Sequence, residues 1–279
     1  SGPAAALQRV GDRTRAGGDL VSAVTIYRRV ADMAPLSPEP YLAMGDTLLA
    51  LGAYNDAVMA YHDAISRGAK VDAYRGLGNA LIAQDQPALA LTQFDEAIRR
   101  AAGDVRGYSG KGVALDMLGD YAAAQQVYRR ALEIDPNNKT VLNNLALSLA
   151  FSGAHQEAID LLLPIALDPG ATPRHRQNLA LAYGLAGDMT EAARIARMDL
   201  DEESVQKNLA YYQVLRARKQ AIGGAKSVGA YRSEIEPKQA PPGLAAGDLS
   251  PLADPALLSF IESMNDAAPG PGPSPPRIE

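Results

Sequence analysis

Three histidines, His62, His155 and His175, are the only imidazoles in this 279-residue chain, and acid–base or metal chemistry would start from them. They stand far apart, and none has carboxylates at metal-ligand spacing, so each reads as a surface or helix-terminal residue. There is no cysteine, which excludes a thiol nucleophile, a disulfide and Cys-ligated zinc. The motifs GxGxxG, HExxH, GxSxG and the phosphate loop GxxxxGK followed by Ser or Thr do not occur. "NNKT" (Asn137 to Thr140) matches a glycosylation acceptor, but Asn is common in turns for its own reasons. The sequence therefore yields no catalytic, cofactor-binding or metal-ligating set. What remains are side chains suited to recognition. Arg75 and Asn79, four residues apart, share one face of a helix and together suit a carboxylate or a peptide backbone. Asn143 suits the main chain of an extended peptide, and Leu147, Arg174 and Gln177 fall at corresponding places along the chain.

The composition limits the partners. The formal charge is -5, without the basic excess of a nucleic-acid binder. No run reaches the about 18 apolar residues of a membrane span. The opening "SGPAAALQRVGD" lacks the charged and apolar regions of a signal peptide, so a leader is expected to be absent or already removed. Apolar residues make up 47% of the chain but aromatic residues only 5%, with no Trp. Much of the apolar content is Ala, a strong helix former, while strands favour branched and aromatic side chains. Closely packed helices are expected.

A register explains how such helices are organised. A small residue recurs at Gly11, Gly45, Gly78, Gly112, Ala146 and Ala180, at steps of 33 or 34. Seven residues later come Gly18, Gly52, Asp85, Gly119, Gly153 and Gly187, and twelve later Ala23, Ala57, Ala90, Ala124, Ala158 and Ala192. Four beyond the alanine are Tyr27, Tyr61, Phe94, Tyr128, Leu162 and Ala196. The period and residue order resemble the tetratricopeptide repeat, a helix–turn–helix unit of about 34 residues. The first small residue lets the two helices of a unit approach, the second closes helix A, and the aromatic fills the gap between units. "GLGNAL" at Gly76 belongs to this register and is no phosphate loop. The expected fold is all-α, a right-handed superhelical solenoid of six units at 4–37, 38–70, 71–104, 105–138, 139–172 and 173–200. Positions 2, 5, 9 and 12 of each helix A should line its concave face. That places Asp72, Arg75, Asn79 and Ile82 there in the third unit, and Thr140, Asn143, Leu147 and Ala150 in the fifth. Arg174, Gln177 and Leu181 follow in the sixth. The chaperone-type carboxylate clamp is not expected, because the fourth unit supplies Ser109, Gly110 and Val113 where it needs basic and Asn residues.

Residues 201–220 read as a capping helix, acidic at its start and basic at its end. Residues 221–279 hold more than half of the chain's 19 prolines and are expected to form a disordered tail. Within it, 254–267 is a short amphipathic helix candidate. Leu257, Leu258, Ile261 and Met264 would either fold back onto the solenoid or dock on a partner.

The stretch "RHRQNLALAYGLAGDMTEAARIARMDLDEESVQKNLAYYQVLR" (Arg174 to Arg216) is more particular than a generic repeat. It resembles the closing segment of the TadD-type lipoproteins of tight-adherence (Flp) pilus assembly, where an "RQNLALAYGLAGD"-like pair leads to "ARxDL" and an "NLAYY"-like cap. That resemblance implies a non-enzymatic scaffold without a cofactor, at the periplasmic face of the bacterial outer membrane. It implies partners such as the pilus secretin or other Tad assembly proteins, and a lipid-bearing Cys upstream of Ser1. The alternative expectation is a cytoplasmic peptide-binding co-chaperone or adaptor.

Overall fold

The computed structural model describes residues 2–221. The described residues form thirteen α-helices and no strand. They divide into two compact units, one up to Gly110 and one from Lys111 onward.

The first compact unit holds α1 (Pro3–Ala16), α2 (Leu20–Met33), α3 (Glu39–Ala50), α4 (Tyr54–Ser66), α5 (Val71–Ala83), α6 (Pro87–Arg100) and the start of α7 (Val105–Met117). Consecutive helices from α1 to α6 pack on one another in order. The register alanines Ala23, Ala57 and Ala90 are wholly buried, as are the rings of Tyr27, Tyr61 and Phe94. Glycine makes room for these rings. A Cβ on Gly45 would come within 2.8 Å of Tyr61, and one on Gly76, in the following repeat, within 2.3 Å of the same ring. Phe94 sits likewise between Gly78 and Gly110, with Cβ distances of 2.8 and 2.2 Å. Each ring is a wedge between successive A helices, and real Cβ atoms do not fit at such spacing.

The second compact unit holds the rest of α7, α8 (Tyr121–Ile134), α9 (Lys139–Ser152), α10 (His155–Ala166), α11 (Pro173–Ala186), α12 (Met189–Ala196) and α13 (Glu202–Ala221). Its chain order is again its packing order from α8 to α11, and α13 lies against both α11 and α12. Tyr128 keeps the wedge ring in the first of its repeats, where a Cβ on Gly112 would come within 2.4 Å of it, and in the next two Leu162 and Ala196, wholly buried, stand at the aromatic position.

Local chemistry sets the helix ends. Asp19, Asp120, Asn138 and Asp188 each accept a hydrogen bond from the backbone N–H three residues on, at 3.0–3.1 Å, satisfying one of the open donors of a first turn. Thr172 and His175 form a reciprocal cap at the start of α11, with Nδ1 of His175 accepting from the Thr172 N–H at 3.2 Å. That gives His175 a structural task. The turn closing helix A has positive φ in all six repeats, and in the third Asp85 adopts it at 57°. Aspartate tolerates that left-handed well better than most side chains.

Candidate functional site

Each compact unit presents the A-helix positions that the register assigns to an inner face, and the two carry different chemistry.

In the first, position 9 of successive A helices is Asp12, Asp46 and Asn79. The hydroxyl of Tyr27 donates to Asp12 Oδ1 at 2.8 Å, and that of Tyr61 to Asp46 Oδ1 at 2.8 Å. Both pairs are separated by fifteen residues. The third repeat has neither partner: Phe94 lacks a hydroxyl and Asn79 replaces the aspartate. Arg15 reaches Asp46 at 3.7 Å. Arg75 is largely buried and holds two carboxylates of its own chain. Its Nη1 donates to Asp104 Oδ2 at 2.9 Å, and its Nη2 pairs with Asp72. Asp104 is as enclosed as Arg75, so this guanidinium fixes α5 to the loop before α7. Asn79 lies one turn along α5, half-buried. A hollow of about 320 Å³ at the start of α4, lined by Gly52, Ala53, Tyr54, Asn55, Asp56 and Gln84, holds no histidine and no nucleophile beside a base.

In the second, the same positions are mostly closed. Asn143 is 3% exposed, and its Oδ1 accepts from Asn178 Nδ2 at 2.9 Å, an amide pair joining α9 to α11. Leu147 is 1% exposed. Arg174 lies in the first turn of α11, half-exposed. Gln177 is half-buried: its Nε2 reaches Asp199 Oδ2 at 3.5 Å, and no donor among the described residues reaches its enclosed Oε1. Leu257, Leu258, Ile261 and Met264 lie outside the described residues.

Two polar clusters escaped the sequence reading. Asp116 on α7 is buried and accepts from the Tyr128 hydroxyl at 2.8 Å and from Ser148 Oγ at 2.6 Å. Burial pushes its carboxyl up to about 8, against the opposing pull of the two hydroxyls. Arg176 forks onto Asp199, Nε to Oδ2 at 2.8 Å and Nη2 to Oδ1 at 2.6 Å, and its Nη1 donates to the Ala171 carbonyl at 3.1 Å. The guanidinium holds Asp199 below the usual carboxylate range. Both residues lie in the quoted Arg174–Arg216 stretch, which was the available signal. Asp116 carries no such mark, because its partner Ser148 lies a full repeat away.

No group of three or more His, Asp or Glu among the described residues is arranged to hold a metal. No helix among them is long and apolar enough to cross a membrane. Helices paired in series on a register of 33 or 34 residues define a helical repeat array, an architecture that serves as a protein–protein interaction scaffold. The tetratricopeptide repeat family matches residues 42–105, 75–139 and 117–182, together half of the chain. The chain belongs to that family, whose repeats are typically non-catalytic interaction modules.

Among curated proteins, the chain is 41% identical over 87 residues to the uncharacterized protein y4yS of Sinorhizobium fredii, a match covering 31% of this chain and 48% of the relative. The chain thus spans about half the length of the curated relative it matches. Among solved structures it is similar to a tetratricopeptide repeat protein from Parabacteroides merdae, with a TM-score of 0.62 at 16% identity, over 75% of this chain and 84% of the other. It is also similar to pilF of Pseudomonas aeruginosa, with a TM-score of 0.61 at 17% identity, over 74% and 96%. These likenesses establish the all-α repeat fold.

Proposed function

We propose that the chain is the TadD-type scaffold of a tight-adherence pilus machinery. In this reading it is held as a lipoprotein at the periplasmic face of the outer membrane, where it supports assembly or localisation of the secretin and its neighbours. The Arg174–Arg216 segment carries the proposal, because its distinctive residues act together. Arg176 of "RQN" grips Asp199 of "MDL". Asn178 donates to Asn143. Gly184 of "AYGLAGD" leaves room for the Tyr212 ring of "LAYY", which a Cβ would approach to 2.4 Å. A motif whose separated parts form one interlock is hard to reach by drift among generic repeats, which supports common descent with the TadD-type segment it resembles. The 279 residues contain no cysteine, so the lipid would be carried upstream of Ser1.

The test is twofold. Affinity purification of the full-length gene product from cells assembling the pilus should recover the secretin or another Tad component, and deletion should abolish surface pili. Intact pili in the deletion strain, with no machinery component recovered, would remove the reading.

A further inference from the structure

The whole chain is acidic, but its first hairpin is not. From the second repeat onward, arginine after arginine holds a carboxylate. Arg67 holds Asp63, Arg99 and Arg100 share Glu96, Arg129 holds Glu157, Arg194 holds Glu191 and Arg197 holds Glu202. In α1 and α2 only the Arg15 side chain finds an acid, Asp46. Arg9, Arg13, Arg28 and Arg29 are exposed and make no ion pair or hydrogen bond among the described residues. Of the local carboxylates, Asp12 serves Tyr27 and Asp19 caps α2, which leaves Asp32 against these guanidiniums. A Cβ on Gly11 of α1 would meet the Tyr27 ring of α2 at 2.6 Å. In this antiparallel pair Arg9 is therefore level with Arg29, and Arg13 lies one turn along α1. Arg28 shares its face of α2 with Val21, two turns back, and Arg29 shares one with Met33. Val10 lies beside Arg9. Val10, Val21 and Met33 are all exposed, and Leu36, just past α2, is 86% exposed, the most of any large apolar side chain described.

We propose that the α1–α2 hairpin is a membrane-surface contact, in which Arg9, Arg13, Arg28 and Arg29 engage the phosphates of anionic phospholipid headgroups while Val10, Val21 and Leu36 enter the interface beside them. Guanidinium suits phosphate, which it meets with two parallel donors. The mixture favours a lipid surface over a nucleic acid or an acidic peptide, because a headgroup layer offers phosphate directly above hydrocarbon. Each arginine close to an anionic surface strengthens partition by about fivefold, so the group acts as a reversible, salt-sensitive hold and inserts nothing across the bilayer. Its arginines are free for the task because the carboxylates around them already have other work. This goes beyond the pilus reading and needs no component of that machinery.

Co-sedimentation of the full chain with vesicles is the test. It should bind vesicles of mixed phosphatidylglycerol and phosphatidylcholine and leave pure phosphatidylcholine vesicles alone. Raising salt from about 0.1 M to about 1 M, which shortens the screening length from about 10 Å to about 3 Å, should release it. The fourfold variant Arg9→Gln, Arg13→Gln, Arg28→Gln and Arg29→Gln should lose about a hundredfold or more in partition. These side chains touch nothing else, so its circular dichroism and melting should match the parent. Arg129→Gln with Arg130→Gln on α8 should bind as the parent does, and Val21→Ser with Leu36→Ser should weaken binding to anionic vesicles. Three results would overturn the proposal: equal binding to neutral and anionic vesicles, a fourfold variant that sediments like the parent, or retention on polyglutamate as strong as on the anionic vesicles, which would mark an acidic protein as the partner. None of these outcomes bears on recovery of the secretin, so the two readings fail separately.

Discussion

Gly76 and Tyr61, in successive repeats, touch so closely that the Cβ glycine lacks would lie 2.3 Å from the tyrosine ring. The ring is wholly buried and has Gly45 on its other side, so it has no room to retreat. Gly76→Ala therefore overpacks the joint, at about 1–3 kcal/mol. The better helix propensity of alanine offsets at most about 1 kcal/mol of that. Urea denaturation should show a net loss, while Gly103→Ala, where a Cβ meets nothing within 4 Å, should leave the midpoint unchanged.

Asp116 predicts a pH dependence. Burial raises its folded-state pKa to about 8, from the 3.8 of an ordinary aspartate. Between those values the folded protein keeps a proton that the unfolded chain gives up. The stability contributed by this group is complete below pH 3.8 and is lost as pH rises to about 8. Melting temperatures of the parent and of Asp116→Asn should diverge as pH is raised from 5 to 8, the parent losing more. Parallel curves would mean that the carboxyl titrates normally.

The Arg176–Asp199 fork has the opposite sign. Asp199 is held below the ordinary aspartate range by Arg176, so its contribution is present above that range and is lost on acidification. Asp199→Asn should release the C-terminal turn of α12 and the start of α13 at neutral pH. Faster amide exchange confined to residues 196–205 is the expected signature, and unchanged protection there would show that the fork holds nothing.

Gly153 closes α9 at φ 105°, beyond the left-handed well that Asp85 occupies at 57°. Gly153→Ala should cost about 1–2 kcal/mol from backbone strain alone, read as a lowered thermal midpoint with an unchanged m-value. A neutral result would mean that the turn relaxes.

The repeat register was legible because each of its marks answers a contact inside one unit or with the next: Gly45 against Tyr61, Ala57 at the helix contact, Gly52 at the turn. Asp85 shows that the turn could be found even where glycine was replaced. The register gave the face of a side chain but not what lies across from it. Arg75 reads as a peptide-gripping cation until Asp104, 29 residues on, is found against it. Asn143 reads as a main-chain partner until Asn178, 35 residues on, takes its oxygen. Such pairs depend on the step from one repeat to the next, and helical periodicity carries no information about that step. Arg174 and Gln177 fall on α11 in the closing segment, and the docking residues Leu257 to Met264 lie outside the described residues.

Tyr27 occurs with Asp12 and Tyr61 with Asp46, while Phe94 occurs with Asn79. In these three repeats phenol and acceptor are kept or dropped together, fifteen residues apart within one helical hairpin, and in the fourth the Tyr128 hydroxyl finds its carboxylate at Asp116, twelve residues before it in the same hairpin. A lone Phe94→Tyr exchange would bury a hydroxyl whose register counterpart is the amide of Asn79 and not a carboxylate, whereas transplanting an entire hairpin keeps donor and acceptor matched. The smallest interchangeable part of this protein is thus the whole cassette, and lengthening or shortening the array by complete cassettes disturbs its interior chemistry less than many single replacements do.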